Sequence, residues 1–302
     1  MNRDNLRTIV RGAYDIQKLR IQMGNRIVVN FKSKLGQEPG KPEEEIDAEG
    51  KAILANLRAA YKKLTDGVKT FPRQSTFVGN EVISDYTELC LIAQYCDLES
   101  HEDHHFRRLG TILREYPIYT QWLEGVKGVG PAMAGVIISE IDIHKARYPS
   151  SLWAYAGLDV APNGGGRSRK AEHLVERQYV AKNGEVKTRK SITFNPFLKT
   201  KLVGVLASSF LRAGSDNNPY ATIYANYKHR LESHPKYCDG QMDANGKPVK
   251  GLKGHRHNMA MRYMIKRFLV DLYKVWRELE GLPVAPEYHE AKLGHVHAAC
   301  NM

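Results

Sequence analysis

VKGVGPAMAGVIISEI, residues 126–141, is the stretch of sequence on which the fold prediction depends. A lysine and two closely spaced glycines lead into a proline and then into an almost uninterrupted apolar run. Proline is favoured at the first position of a helix, where its missing N–H would be unpaired in any case. The stretch predicts a helix-hairpin-helix turn at 118–141, with a first helix over 118–125, a Gly-x-Gly loop and a second helix from Pro131. Because the second helix is apolar on nearly all sides, we expect it to be buried.

The same turn predicts an anion site. Free N–H groups and the positive dipole end make the start of a helix attractive to anions. Glycine allows another backbone to come close, and Lys127 adds positive charge beside Gly128 and Gly130. A nucleic-acid phosphate suits such a site, because phosphate contacts position a protein on the duplex without reading sequence. The alternative is a tight corner between two helices, in which the glycines serve packing alone.

Length and composition limit the class of protein. The 302 residues, 42% of them hydrophobic, allow one large domain or two to three modest ones. No run of about 18 uncharged apolar residues occurs, so we expect no membrane-spanning helix, and the polar N-terminus MNRDNLRTIVRG lacks a signal region. The four cysteines have neither zinc-site nor disulfide-framework spacing, which fits free thiols in a reducing compartment. We therefore expect a cytoplasmic protein.

The net charge of +12 is unevenly distributed along the chain. Residues 1–35 carry eight Lys/Arg against two Asp/Glu, residues 159–212 eleven against four, and residues 228–277 twelve against four. Three basic zones on a chain whose remainder is acidic favour a polyanionic partner, nucleic acid above all. The alternative is a set of ordinary solvated Lys and Arg side chains.

The spacing of apolar residues predicts a mainly α-helical protein with a small β-hairpin. Residues 3–34 form one long helix, which either pairs as a coiled coil with a second copy or packs on the body of the protein. Residues 177–194 alternate and turn at Asn183-Gly184, a strong hairpin signal. A short helix over 150–158 is predicted to be capped by Ser150 or Ser151. Further helices are predicted at 50–66, 81–97, 102–115, 196–213, 218–233 and 256–280.

Composition divides the chain into three parts. Residues 1–35 are a basic helical arm and a coiled-coil candidate. The stretch GQEPGKPEEEIDAEG (36–50) breaks the helical pattern and opens a helical linker region that extends to residue 115. Residues 116–302 form a C-terminal domain that contains the helix-hairpin-helix turn.

Three stretches in fixed order resemble a known family: the turn at 126–141, YPSSLWAYAGLDVAPNGGGRSRK (148–170) and SITFNPFLKTKLVGVLASSFLRA (191–213). They are similar to the C-terminal domain of insertion-sequence transposases of the one-ten type, also called DEDD transposases or bridge recombinases. Residues 218–230 and 255–281 continue the likeness, and LRTIVRGAYDIQKLR near the N-terminus resembles the coiled-coil arm of that family. The resemblance implies DNA transposition or recombination, with DNA as partner, a structured guide RNA as a further ligand, and a homo-oligomer through residues 3–34.

Two departures from the family pattern bear on catalysis. Family members carry an RNase-H-like domain with four acidic metal ligands, the first on an apolar strand, and residues 1–50 contain no such aspartate. The resemblance therefore implies neither a metal site nor another cofactor here. The family serine nucleophile stands shortly after the Gly-Leu helix, where this chain has Asn163 and three glycines. Ser168 is a displaced candidate nucleophile and Ser191 a second one. Because the sequence shows no activating base, we expect nucleic-acid binding without autonomous catalysis.

Candidate nucleic-acid contacts come from four places: the turn, the glycine-rich loop, the hairpin and the arm. The triple glycine with basic neighbours is either a phosphate-contacting loop or a flexible tip. A two-stranded basic ribbon fits a major groove, or it is only a solvated ribbon. The predicted contact residues are Lys127, Gly128, Gly130, Arg167, Arg169, Lys170, Lys187, Arg189, Lys190, Arg7 and Arg11.

Other interpretations remain open. The histidines of HEDHH (101–105) have no evident third metal ligand and favour a solvated helix face. Tyr220, Tyr224 and Tyr227 recur at helical spacing and favour core packing over base stacking. Some base-excision glycosylases carry the same turn followed by a catalytic aspartate, and Asp142 lies twelve residues past Gly130. A non-catalytic scaffold that dimerises through its arm would also explain the basic zones.

Overall fold

The chain is mainly α-helical with one two-stranded antiparallel sheet, which confirms the predicted fold class. It divides into two compact units, one formed by Thr8–Thr111 and one by the residues on either side of that segment. The boundaries predicted near residues 35 and 115 stay predictions, and residues 39–45 of the predicted linker lie outside the described part. The computed structural model describes residues 2–38, 46–68, 70–242 and 247–287.

Three helices build the unit Thr8–Thr111. They are α1 (Arg3–Lys34), most of which belongs to this unit, α2 (Ala48–Thr65) and α3 (Tyr86–Leu113). Helix α1 confirms the long helix predicted from apolar spacing. The Asp47 side chain caps α2 by accepting a hydrogen bond from the Gly50 N–H at 2.7 Å. The three helices enclose a common apolar core, whose fully buried members include Ile27, Leu57, Ile83, Leu89 and Ile92.

The helices predicted at 81–97 and 102–115 are a single helix, α3, so that prediction was wrong. Glu102, the first residue of the second predicted helix, is buried and accepts a hydrogen bond from the Arg20 guanidinium of α1. The Glu102 carboxylate therefore forms an ion pair inside this unit. The helix continues through Glu102 because an ion-paired carboxylate can be buried.

Helix α10 (Leu252–Leu279) is the centre of the second unit. Its Phe268 is fully buried, and the ring centres of Trp122, Phe210 and Tyr220 lie 5.4 to 5.6 Å from that of Phe268. Tyr220 is therefore a core residue, as predicted.

Helix α9 (Pro219–Glu232) packs along α10 and carries the other two tyrosines of the predicted row. Tyr224 and Tyr227 are only half-buried. The Tyr224 hydroxyl lies 2.6 Å from Nδ1 of His257, and the Tyr227 ring stacks on Tyr263 at 4.2 Å. Both join α9 to α10 instead of entering the aromatic core.

The first helix of the predicted turn is shorter than expected. Helix α4 (Pro117–Gln121) ends at Trp122, where the backbone leaves helical geometry at φ −144° and ψ −58°, and a single 3₁₀ turn, Leu123–Gly125, follows. The break lets the Trp122 indole stack on Phe268 with an interplanar angle of 19°. Helix α5 (Pro131–Glu140) begins at the proline and is almost wholly buried, as the sequence predicted.

Helix α6 (Pro149–Tyr155) begins one residue earlier than predicted, and neither serine is its N-cap. Tyr148 occupies the N-cap, and the Ser151 hydroxyl accepts a hydrogen bond from the Tyr148 N–H at 3.4 Å. The serine thus reaches back from the first turn, because Pro149 already takes the first helical position.

The predicted hairpin and the helix after it are both present. Strands β1 (Val175–Val180) and β2 (Val186–Ser191) pair antiparallel, and Gly184 in their turn has φ +82°. The next helix runs without a break through α7 (Pro196–Thr200), a π-helical segment at 201–206 and α8 (Ala207–Ala213). A 3₁₀ turn, Ala171–His173, joins the glycine-rich loop (residues 159–168) to the hairpin, and α7 follows the hairpin in the chain.

Candidate nucleic-acid interface

The glycines of the turn have different roles. Gly128 has φ +93°, and a Cβ there would lie 2.9 Å from the Phe210 ring. Its carbonyl oxygen accepts a hydrogen bond from the Ser209 hydroxyl at 2.9 Å, and that of Lys127 accepts one from the Asn218 amide at 2.6 Å. Packing against α8 therefore explains Gly128. Gly130 is exposed, and a Cβ there would meet no atom within 4 Å, so packing does not explain it.

The ribbon separates its charges between two faces. Successive strand residues point to opposite faces, and Arg177 pairs with Arg189 while Tyr179 pairs with Lys187. These four exposed side chains share one face, on which the Arg189 guanidinium lies 5.1 Å from the Tyr179 ring centre. Lys190 pairs with Glu176 on the other face. The sequence prediction therefore missed Arg177, which only the register identifies, and Lys190 faces a carboxylate.

The glycine-rich loop, residues 159–168, is closed by hydrogen bonds. The Ala161 N–H donates to the Gly165 carbonyl at 2.8 Å, and the Arg167 side chain donates to Asp159 at 2.7 and 3.0 Å. Arg167 thus holds the two ends of the loop together. Arg169 and Lys170, the other predicted contacts of this segment, are both exposed.

The loop brings Ser168 against a base that the sequence did not reveal. His173 is 4% exposed, and its Nδ1 lies 2.8 Å from the Ser168 hydroxyl and accepts the Ser168 N–H at 3.0 Å. Because a backbone N–H can only donate, Nδ1 is unprotonated and Nε2 carries the proton. Nε2 then donates to the Asn163 amide oxygen at 3.2 Å. A nucleophile, a base and a group that orients the base are therefore in contact.

Lys199 of α7 contacts the same loop. Its ammonium donates to the Arg167 carbonyl oxygen at 2.6 Å and lies 4.6 Å from the Phe194 ring centre. Burial, and then the charge of Arg262, lower the pKa of Lys199 to about 8. Sequence reasoning did not single out this lysine, because nothing in the local pattern of α7 distinguishes it.

The lowered pKa predicts a pH-dependent stability difference between wild type and Lys199→Met. The charged ammonium destabilises the fold below pH 8, and this penalty is lost as the pH rises from about 8 towards the ordinary value of 10.5. We expect the difference in unfolding free energy to shift by about 1 kcal/mol in favour of wild type over that interval, allowing for solvent screening. Urea titrations at about pH 7 and pH 10 measure it, and an unchanged difference would contradict the expectation.

The arginines predicted from the arm lie in protein surroundings. Arg7 Nε is 3.7 Å from the carboxylate of Glu140, which is 2% exposed and accepts a hydrogen bond from the Asn195 amide at 2.6 Å. Arg11 is half-buried. Asp142, on which the glycosylase alternative depends, forms an ion pair with Arg3 at 3.2 Å. Such partners compete with a ligand for these side chains, and Glu185 does the same for Lys187 of the ribbon, whose ammonium lies 3.2 Å from its carboxylate.

Within the described ranges, no three His, Cys, Asp or Glu residues come together as metal ligands would. None of the helices described has the length and apolar character that crossing a bilayer requires.

Comparison with known proteins relates the turn, the glycine-rich loop and strand β1 to a known family. Neither the curated proteins nor the solved structures contain a match to this chain. Residues 120–182 match the model of a transposase family, and the matched stretch holds the turn, Ser168, His173 and strand β1. Over residues 120–182 the chain is therefore similar to transposases of the IS116/IS110/IS902 family, which supports a function connected with transposition.

Proposed function

We propose that this chain is a nucleic-acid-binding protein of DNA transposition or recombination, and that the β1–β2 ribbon contacts the DNA backbone. The observation that carries the proposal is the face formed by Arg177, Tyr179, Lys187 and Arg189, four exposed side chains of which three are basic and none is acidic. A two-stranded ribbon has the width of a major groove, and Arg and Lys side chains are the usual partners of phosphates.

We propose further DNA contacts from the turn and from the glycine-rich loop. Lys127 and Gly130 at the turn and Arg169 and Lys170 at the loop add positive charge or open backbone. On the basis of the family resemblance, we also propose that the chain binds a structured RNA as a second ligand. We further propose that two copies pair through residues 3–34. Competition between duplex DNA and hairpin RNA of equal length measures the relative affinity of the two ligands.

Neutralising the basic face should weaken DNA binding strongly. In the triple variant Arg177→Gln, Lys187→Gln, Arg189→Gln, we expect affinity for duplex DNA to fall by about 10²- to 10³-fold near 0.1 M salt. The slope of log K against log salt should decrease by about three, one for each lost phosphate contact. Fluorescence anisotropy over a series of salt concentrations measures both.

Two controls make that result specific. Lys51→Gln, Lys62→Gln, Lys63→Gln removes the same charge from exposed positions of α2, and Lys190→Gln removes one charge from the opposite face of the ribbon. We expect the first control to change affinity less than threefold, a shift of about 0.6 kcal/mol. If the ribbon variant binds as tightly as the α2 variant, the ribbon is only solvated.

The contact between Ser168 and His173 favours a second candidate function, in which the chain supplies a nucleophile for strand transfer. The Ser168 oxygen would form a bond to a DNA phosphorus, its proton would pass to Nδ1 of His173, and a deoxyribose oxygen would leave. Charging the ring costs the hydrogen bond from the Ser168 N–H, whereas Glu172, 3.6 Å from Nε2, offsets the new charge. A covalent adduct between DNA and Ser168, identified by mass spectrometry, would establish this activity.

A further inference from the structure

A cluster of three half-buried cations lies against the glycine-rich loop. Lys199 comes from α7, and Arg262 and Lys266 lie one turn apart on α10. Arg262 donates a hydrogen bond to the Gly157 carbonyl oxygen at 3.1 Å. A Cβ at Gly166 would lie 2.5 Å from Nη1 of Arg262, so the loop approaches this guanidinium as closely as glycine allows.

Aromatic rings hold the two lysines in place. The Lys266 ammonium lies 5.2 Å from the ring centre of Trp153, much as Lys199 lies over Phe194 at 4.6 Å. A ring face attracts a cation without neutralising its charge. The rings therefore hold the two lysines in place and supply no countercharge.

The charge of the cluster is not balanced inside the protein. Asp159 is the carboxylate that acts on all three cations, and Arg167 already pairs with it at 2.7 Å. Within the described ranges, Lys199, Arg262 and Lys266 form no ion pair of their own. Burial and the charge of Arg262 lower the pKa of Lys266 as they lower that of Lys199, because lost water and like charges both oppose the charged form. An anion between these groups would relieve both effects.

We propose that Lys199, Arg262 and Lys266 form a seat for one phosphate of the DNA backbone. The proposal rests on the proposed function, because DNA is the source of the phosphate. Guanidinium and ammonium groups together suit a phosphate, the first by paired hydrogen bonds and the second as a point charge. Lys199 is bonded to the carbonyl of Arg167, the residue before Ser168. Lys199 therefore links the seat to the residue that precedes Ser168.

Lys266→Met tests the seat, since methionine keeps the apolar stem on Trp153 and removes the charge. We expect affinity for duplex DNA to fall about tenfold and the salt slope to decrease by about one. Without DNA, we expect the same substitution to stabilise the protein. The melting temperature of this unit should rise by about 2 °C, because the repulsion between neighbouring positive charges is reduced. Lys62→Met makes the same substitution at an exposed position of α2 and should change neither quantity.

Inorganic phosphate tests whether the seat binds phosphate, independently of whether the protein binds DNA. Saturating phosphate should raise the melting temperature of wild type more than that of Lys266→Met, in buffers of matched ionic strength. Wild-type protein that gains this stability but binds no DNA would support the seat for free phosphate and contradict DNA as its source. Equal phosphate stabilisation of the two proteins, together with equal DNA affinity and salt slope, would overturn the seat.

Discussion

Gly128→Ala is expected to lower the unfolding free energy of the second unit by about 2–5 kcal/mol. Alanine at φ +93° costs about 1–2 kcal/mol, and the added methyl group, 2.9 Å from the Phe210 ring, costs about 1–3 kcal/mol as overpacking. The neighbour cannot move away easily, because Phe210 stacks on Tyr220 at 5.0 Å inside the aromatic core. Among the glycines that the structure describes, Gly157 also meets both obstacles, with φ +65° and an added Cβ 2.7 Å from the Phe194 ring.

Tryptophan fluorescence during urea unfolding measures this loss without interference from the other unit. The three tryptophans of the chain, Trp122, Trp153 and Trp276, all lie outside Thr8–Thr111. A two-unit protein need not unfold in one step, so a probe confined to one unit is required. An unfolding midpoint equal to that of wild type would show that the loop can move away from α8.

Gly130→Ala is the matched control, and it also decides what the turn does. Gly130 has φ −85°, which alanine adopts freely, and no atom lies within 4 Å of the added methyl group. We expect a stability change within about 0.5 kcal/mol. If a phosphate approaches this backbone, the methyl group should still weaken DNA binding and leave stability unchanged. Unchanged affinity and salt slope would show that the turn serves packing alone.

Gly128 also shows where sequence reasoning reaches its limit. The glycine spacing and the proline predict a turn and the start of a buried helix, because both depend on backbone preferences within a few residues. They do not reveal Phe210, which lies 82 residues further along the chain. The sequence therefore leaves phosphate binding and packing open at Gly128, and only the tertiary contact favours packing.

In the ribbon and in helix α3, too, the sequence predicts the element but not its tertiary contacts. The Asn-Gly turn and the alternating strands predict the hairpin, but the face on which each charge lies depends on register, which pairs Arg177 with Arg189. Helix α3 was predicted as two helices, and Glu102 belongs to a segment predicted to face solvent, whereas it is bonded to Arg20 of α1. Local signals thus identify elements, and charge partners decide their ends and faces.

The base beside Ser168 could not be found from spacing alone. His173 follows five residues later in a 3₁₀ turn, Ala171–His173, and no regular helix or strand places those two positions together. The fold brings them into contact because the closed glycine-rich loop turns the chain back on itself. The sequence showed no base near Ser168, and the structure places the His173 ring within hydrogen-bond reach of its hydroxyl.

Ser168→Ala is expected to abolish reaction with a fluorophosphonate probe, by at least about 10³-fold. In that reaction the Ser168 oxygen bonds to phosphorus, fluoride leaves, and the hydroxyl proton passes to His173, so the probe reports an activated serine without DNA or a metal. Ser191→Ala, which changes the second candidate serine, should react like wild type. Labelling followed by mass spectrometry of the modified peptide measures the rate and identifies the residue.

Substitutions at His173 then distinguish a base from a structural histidine. His173→Gly should react about 10²- to 10⁴-fold more slowly than wild type, and added imidazole should restore part of the rate, because the lost ring leaves a nearly enclosed space beside Ser168. A ring that only supports the loop would give a destabilised protein that imidazole does not reactivate. Asn163→Ala should have a smaller effect, about tenfold, since it orients the ring without taking the proton. Wild-type protein that the probe leaves unlabelled would show that Ser168 is not activated in the free protein.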